Sequence, residues 1–161
     1  MATQKLQPSR ALQVIPSENA VIPNPFFIHQ GVNTGIAVNK LITITGDFVF
    51  DNVKTGDIVY NLTDGTAATV VAVDSQSQLT LNANIFTVGG KSFVIYQQSA
   101  QTGIGNQGCV LYVGVGGNIK VTTSGNDIVT FINIQDGTFF PINVLKVFSA
   151  GTTATNIIAL W

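Results

Sequence analysis

Charged side chains are scarce in this sequence: seven Lys or Arg and eight Asp or Glu among 161 residues, 9% of the chain, where soluble proteins average about a quarter. A free monomer of this length exposes more charge than that, so the surface must be covered largely by uncharged groups. Apolar residues make up 45%, and Thr, Asn, Gln, Ser and Gly supply most of the remainder. A hydroxyl or amide needs only a hydrogen-bond partner when buried, whereas an unpaired buried charge costs several kcal/mol. Such a surface is cheap to desolvate against another protein. The composition points to an interface-rich subunit, or else to a secreted β-domain with a Thr/Asn-rich face.

Other absences narrow the classes further. The bases Lys5, Arg10, Lys40, Lys54, Lys91, Lys120 and Lys146 are scattered and the net charge is -1, so there is no basic patch for a nucleic-acid backbone. Cys109 is the sole cysteine, which excludes an intrachain disulfide and a cysteine metal cluster within one chain. It lies in the apolar run Cys109-Val110-Leu111-Tyr112-Val113 and reads as a small buried hydrophobe. Met1 to Arg10 lacks the charged-then-apolar pattern of a signal peptide, and no apolar run approaches the ~20 residues that span a bilayer. The expectation is a soluble protein made in a cytoplasm, with no membrane partner. No stretch of ten or more residues has helical periodicity with good helix formers, so the fold class expected is all-β.

What is present is organised in segments. Residues 1–39 hold four of the five prolines, Pro8, Pro16, Pro23 and Pro25, and apolar residues without regular period. Proline removes amide donors and favours extended chain, so this segment is expected to be an arm rather than a helix or central strand. Its apolar residues must be buried either across a neighbouring subunit or on the chain's own body. From Leu41 onward, short β-runs alternate with Gly/Asn/Asp punctuation. Strands are expected near 41–50, 57–61, 67–73, 78–82 and 92–97, then near 109–113, 118–123, 127–133, 139–148 and 155–160. The division expected is an extended arm over 1–39, a small β-barrel-like domain over 40–98, a linker over 99–108 and a C-terminal antiparallel β-sandwich-like domain over 109–161. Units of that size, without disulfide or metal, are marginal alone, and oligomerisation is the common remedy.

Chemistry-bearing patterns are few. Gly103-Ile104-Gly105-Asn106-Gln107-Gly108 matches GxGxxG, but a β-run follows it where a dinucleotide site needs a helix. Gly114-Val115-Gly116-Gly117-Asn118 lacks the Lys and Ser/Thr of a phosphate loop. His29 is the only histidine and has no nucleophile in a recognisable elbow to serve. Asp47, Asp51, Asp57 and Asp64 could act as paired carboxylates or bind calcium, but three of them adjoin Gly46, Gly56 or Gly65, as turn-capping aspartates do. No catalytic residue, cofactor or metal site is expected.

The closing third carries a resemblance. Leu111-Tyr112-Val113-Gly114, Gly137-Thr138-Phe139-Phe140-Pro141-Ile142, Gly151-Thr152-Thr153-Ala154-Thr155 and the terminal Ile157-Ile158-Ala159-Leu160-Trp161 resemble a domain of tailed-bacteriophage virion proteins, found also in the spike-base proteins of phage-like gene transfer agents. The resemblance covers roughly the last 53 residues, counted from about Cys109 to the end. It implies a non-enzymatic virion structural subunit, either a capsid cement or decoration protein or a spike-base or tail adaptor. A carbohydrate-binding β-module, with Trp161, Tyr60, Tyr96 and Tyr112 as stacking faces, is a reading from another class. The partners expected are the major capsid protein and further copies of the chain, a trimer favoured. The interface residues expected are Val21, Ile22, Pro23, Pro25, Phe26, Phe27 and Trp161.

Overall fold

The computed structural model describes residues 8–98 and 107–161. The Gly103–Asn106 part of the GxGxxG match and nearly all of the expected linker lie outside the described residues. Within those described, twelve strands and no helix occur, arranged as two antiparallel six-stranded sheets. The chain is all-β.

The first sheet has the order β2 (Phe27–Val32), β7 (Ser92–Tyr96), β4 (Ile58–Asn61), β5 (Thr66–Ser75), β6 (Gln78–Leu81), β3 (Lys40–Ile42). Its ten-residue β5 pairs with β4 through Thr66–Thr69 and with β6 from Val70 onward, with two register irregularities on that side. The bent strand curls the sheet into a half-barrel around Leu41, Phe48, Val59, Leu79, Leu81, Phe86, Phe93 and Ile95. The curl is tied at its open side by a bridge between Gly35, just past β2, and Ile42 at the end of β3. A Cβ at Gly35 would meet the Ile42 side chain at 2.8 Å, so this approach needs glycine.

The second sheet has the order β1 (Ala11–Gln13), β12 (Thr155–Leu160), β8 (Cys109–Val115), β11 (Thr138–Val147), β9 (Gly117–Thr123), β10 (Ile128–Ile134). Here too a ten-residue strand is shared: β11 pairs with β8 at its start and β9 at its end, with a register shift between Phe140 and Val144 that accommodates Pro141. Its core is built on Leu111, Val113, Ile119, Val121, Phe140, Val144, Val147 and Ile157. Among the described residues, the five non-glycine positions at positive φ are all asparagine, Asn39, Asn52, Asn126, Asn133 and Asn156, the side chain that best tolerates left-handed backbone.

The proline-rich segment joins the two sheets. β1 extends the second sheet as an edge strand on β12, and Val14, Ser17 and Ile22 then donate their N–H groups to the carbonyls of Ile157, Val147 and Leu145 at 2.8–2.9 Å. Val14 and Ile22 enter the core of the second sheet. Leu12, Ile15, Ala20 and Val21 turn the other way and pack on Ile58, Tyr60, Ala67 and Val94, the convex face of the first sheet. The segment is a strap whose side chains alternate between two cores. β4 is buried along its whole length for this reason: Val59 faces the half-barrel interior, while Ile58 and Tyr60 lie under the strap.

Two departures from the sequence reading follow. The strand expected over 41–50 ends at Ile42, and residues 43–53 form successive turns. Gly46 comes so close to the β5–β6 turn that a Cβ there would lie 2.6 Å from the Gln76 carbonyl oxygen. Local bonds, Asp51 N–H to Asp47 and Val53 N–H to Phe48, replace ladder bonds. The arm expected over 1–39 contains β1 and β2, each at the edge of a sheet, where the flanking prolines remove no ladder bond. Between them, Val21 and Ile22 pack inside the chain. Leaving a residue such as Ile22 in water would forfeit about 1.5–3 kcal/mol.

Candidate interaction surface

The most exposed large apolar side chains gather on the two loops that flank β3. Ile44 and Phe50 are 84% and 83% exposed and Val38 76%, with Ile36 and Val49 also more than half exposed. These loops are held firmly. Thr34 N–H donates to the Ile42 carbonyl, and the Thr34 hydroxyl oxygen accepts the Ile44 N–H, so the 34–38 and 43–50 loops lie side by side. The Gln76 Oε1 accepts both the Val49 and Phe50 N–H groups, at 3.0 and 3.1 Å. Between the exposed residues, Phe48 is fully buried and packs on His29 and Phe93.

His29 completes the clamp. Its Nδ1 lies 2.7 Å from Asp51 Oδ2, joining β2 to the far end of the loop. The ring is stacked on Phe93, and its Nε2 is buried without a hydrogen-bond partner. The pair is a His–carboxylate couple like the orienting half of a catalytic relay. With the ring packed between Phe48 and Phe93, the couple fastens the loop to β2.

Two of the other expected carboxylates, Asp57 and Asp64, bond to backbone or side chains around turns. Asp57 is buried and accepts the Lys54 and Gln98 N–H groups. Asp64 accepts from Asn61 and Lys91, and Lys91 is the first cause that holds its carboxyl below the usual carboxylate range. Among the described residues no group of three His, Cys, Asp or Glu could hold a metal ion. Burial pushes the Cys109 thiol up to about 12, opposed only by a hydrogen bond at Leu160, so its reactive thiolate is disfavoured.

Of the interface residues expected from the sequence, the structure separates two groups. Ile22 and Pro23 are buried, Val21 packs from the strap onto the convex face of the first sheet and Pro25 is half-buried. Phe26 and Phe27 are 41% and 57% exposed, with the Arg10 guanidinium 4.3 Å above the Phe26 ring. Trp161 packs on the second core, and its indole nitrogen is buried without a partner. Tyr60 is buried, and of the four proposed stacking aromatics Tyr112 alone is exposed. Two clefts accompany these surfaces: one of about 300 Å³ between strap residues 13–16 and the β4–β5 turn, and one of about 210 Å³ beside Phe27, Asp51 and Asn52.

Sequence reasoning passed over the loops beside β3 because Ile42, Ile44, Phe48 and Phe50 alternate like a strand. The Thr45-Gly46-Asp47 triplet was the available signal of a turn. Compared with family models, curated proteins and solved structures, the chain matches none.

Proposed function

We propose that the protein is a non-enzymatic structural subunit of a tailed-phage virion, a cement or decoration protein that bridges neighbouring capsomers on the outer capsid. The observation that carries this reading is the rigid apolar crest of Ile36, Val38, Ile44, Val49 and Phe50 on a chain so poor in charge. Patches of this kind on soluble proteins mark protein contact sites, and exposed Asp47 in the same loop is a charge that a covering partner must leave hydrated or pair. Phe26 and Phe27 add an apolar ledge at the start of β2. The resemblance of the closing third to virion proteins supplies the setting, and the partners proposed with it are the major capsid protein and further copies of the chain, a trimer favoured.

The spike-base or tail-adaptor reading shares the same sequence resemblance. Immunogold labelling of virions from the producing culture, with antibody to this chain, separates the two. Label distributed over the capsid shell is expected. Label confined to the vertex or tail moves the protein to the adaptor role, and unlabelled virions with binding on a glycan array replace both by the carbohydrate-binding module.

A further inference from the structure

We infer that β10 is a self-association edge that pairs antiparallel with β10 of a second copy of this chain. Among the described residues, β9 is its only sheet partner. The Thr123 N–H donates to the Asp127 carbonyl at 2.9 Å, and Val129 and Phe131 lie opposite Val121 and Ile119. By alternation, the backbone groups of Asp127, Val129 and Phe131 turn towards β9, and those of Ile128 and Thr130 point outward from the sheet. A register shift between Phe131 and Ile134, with Asn133 at φ 57°, ends the regular edge there.

Natural proteins protect such an edge with lysine, proline, an inward-pointing charge or a β-bulge, and here the bulge comes only after Phe131, past the centre of the edge. Ile128–Ile134 contains no lysine, proline or charge. Ile128 and Ile132 are instead 62% and 69% exposed, and Val129 39%.

The edge is matched to itself. A two-fold axis through Thr130 sets Ile128 opposite Ile132 of the second copy, Val129 opposite Phe131, and Thr130 opposite Thr130. Thr130, on the axis, exchanges both its outward N–H and C=O with Thr130 of the second copy in that register. The facing pairs are aliphatic with aliphatic, aromatic with β-branched and threonine with threonine, the combinations that stabilise antiparallel neighbours. Charge does not oppose it: Asp127 falls opposite Asn133, and no two carboxylates face each other. A short edge buries less than the roughly 800 Å² per partner of a standard interface. The pairing is therefore weak and concentration-dependent in free solution, and strengthens where copies are held side by side. It stands independently of the virion reading.

Sedimentation equilibrium of the full chain tests it, with Thr130→Lys and Thr130→Cys as variants. The expected result is a monomer–dimer equilibrium whose dissociation constant rises about tenfold or more in Thr130→Lys, with an unchanged thermal midpoint. Facing hydrogen-bonded residues have Cα atoms about 5.5 Å apart, within disulfide reach. Mild oxidation should therefore convert Thr130→Cys to a disulfide dimer, and Tyr112→Cys, exposed on β8, should remain monomeric. This cross-link also decides the matter if Thr130→Lys fails to fold. A wild-type monomer at every concentration overturns the inference and leaves the edge to a strand of another protein. So does a dimer or trimer indifferent to Thr130→Lys and not captured by Thr130→Cys.

Discussion

Residues 12–22 and residues 36–50 are both rich in aliphatic side chains, yet they end in opposite surroundings. The strap over 12–22 is sandwiched between the two sheets, hydrogen-bonded through its backbone to the second and through side chains to the first, as where the Ser17 hydroxyl donates to the Ala67 carbonyl. Its side chains therefore fall alternately into two cores. The loops on either side of β3 have their backbone groups satisfied by local turns, by the Gln76 side chain and by the β5–β6 turn, whose Gln76 and Ser77 carbonyls accept the Phe48 and Thr43 N–H groups. One residue, Phe48, is driven into the half-barrel, and its neighbours are left facing out. The lesson is that the destination of the backbone bonds, more than apolar content, decides what is buried.

Substitutions can sharpen this contrast. The largest effect is expected at the anchor of the exposed loop. Phe48→Ala should cost about 3–5 kcal/mol in urea unfolding, because it empties the packed cluster with Phe93 and His29. Next comes the strap: Ile22→Ala should cost about 2–5 kcal/mol. A loss confined to one of two separate unfolding transitions would show that the strap does not couple the sheets.

Acid should act more weakly. Lys40 and Lys91 are the first causes holding the carboxyls of Asp74 and Asp64 below their ordinary value of 3.8. A lowered native pKa stabilises the fold above the unfolded value, and that contribution is lost as pH falls below about 3.8 towards the native values. Both pairs are at the surface, so the acid limb should be shallow, and Lys40→Ala should flatten it further in thermal melts between pH 5 and 2. Smallest of all should be the stability change in Phe50→Ser, within about 0.5 kcal/mol. That variant should lose binding to purified capsids all the same. A large drop in its melting temperature would mean that Phe50 belongs to the fold rather than to a partner surface.

Much of the β pattern could be read directly. The strands from Ile58 to Leu160 lie within a few residues of the expected runs, because turn chemistry at Asp64-Gly65, Ser124-Gly125-Asn126 and Asp136-Gly137 brackets each run. The exposed loops were harder to read. Ile42, Ile44, Phe48 and Phe50 keep a two-residue period through a segment that leaves the sheet, and the close approach of Gly46 to the β5–β6 turn that forces the departure joins residues thirty positions apart.

The sequence by itself determined the fold class: no helical period, short β-runs bracketed by turn residues, little charge, one cysteine and one histidine. Those properties are local or additive, and they survive any arrangement of the strands. Tertiary structure alone decided which greasy segment is covered and which is displayed. Val21-Ile22 and Val49-Phe50 are alike as dipeptides, and they differ only in what long-range hydrogen bonding places beside them.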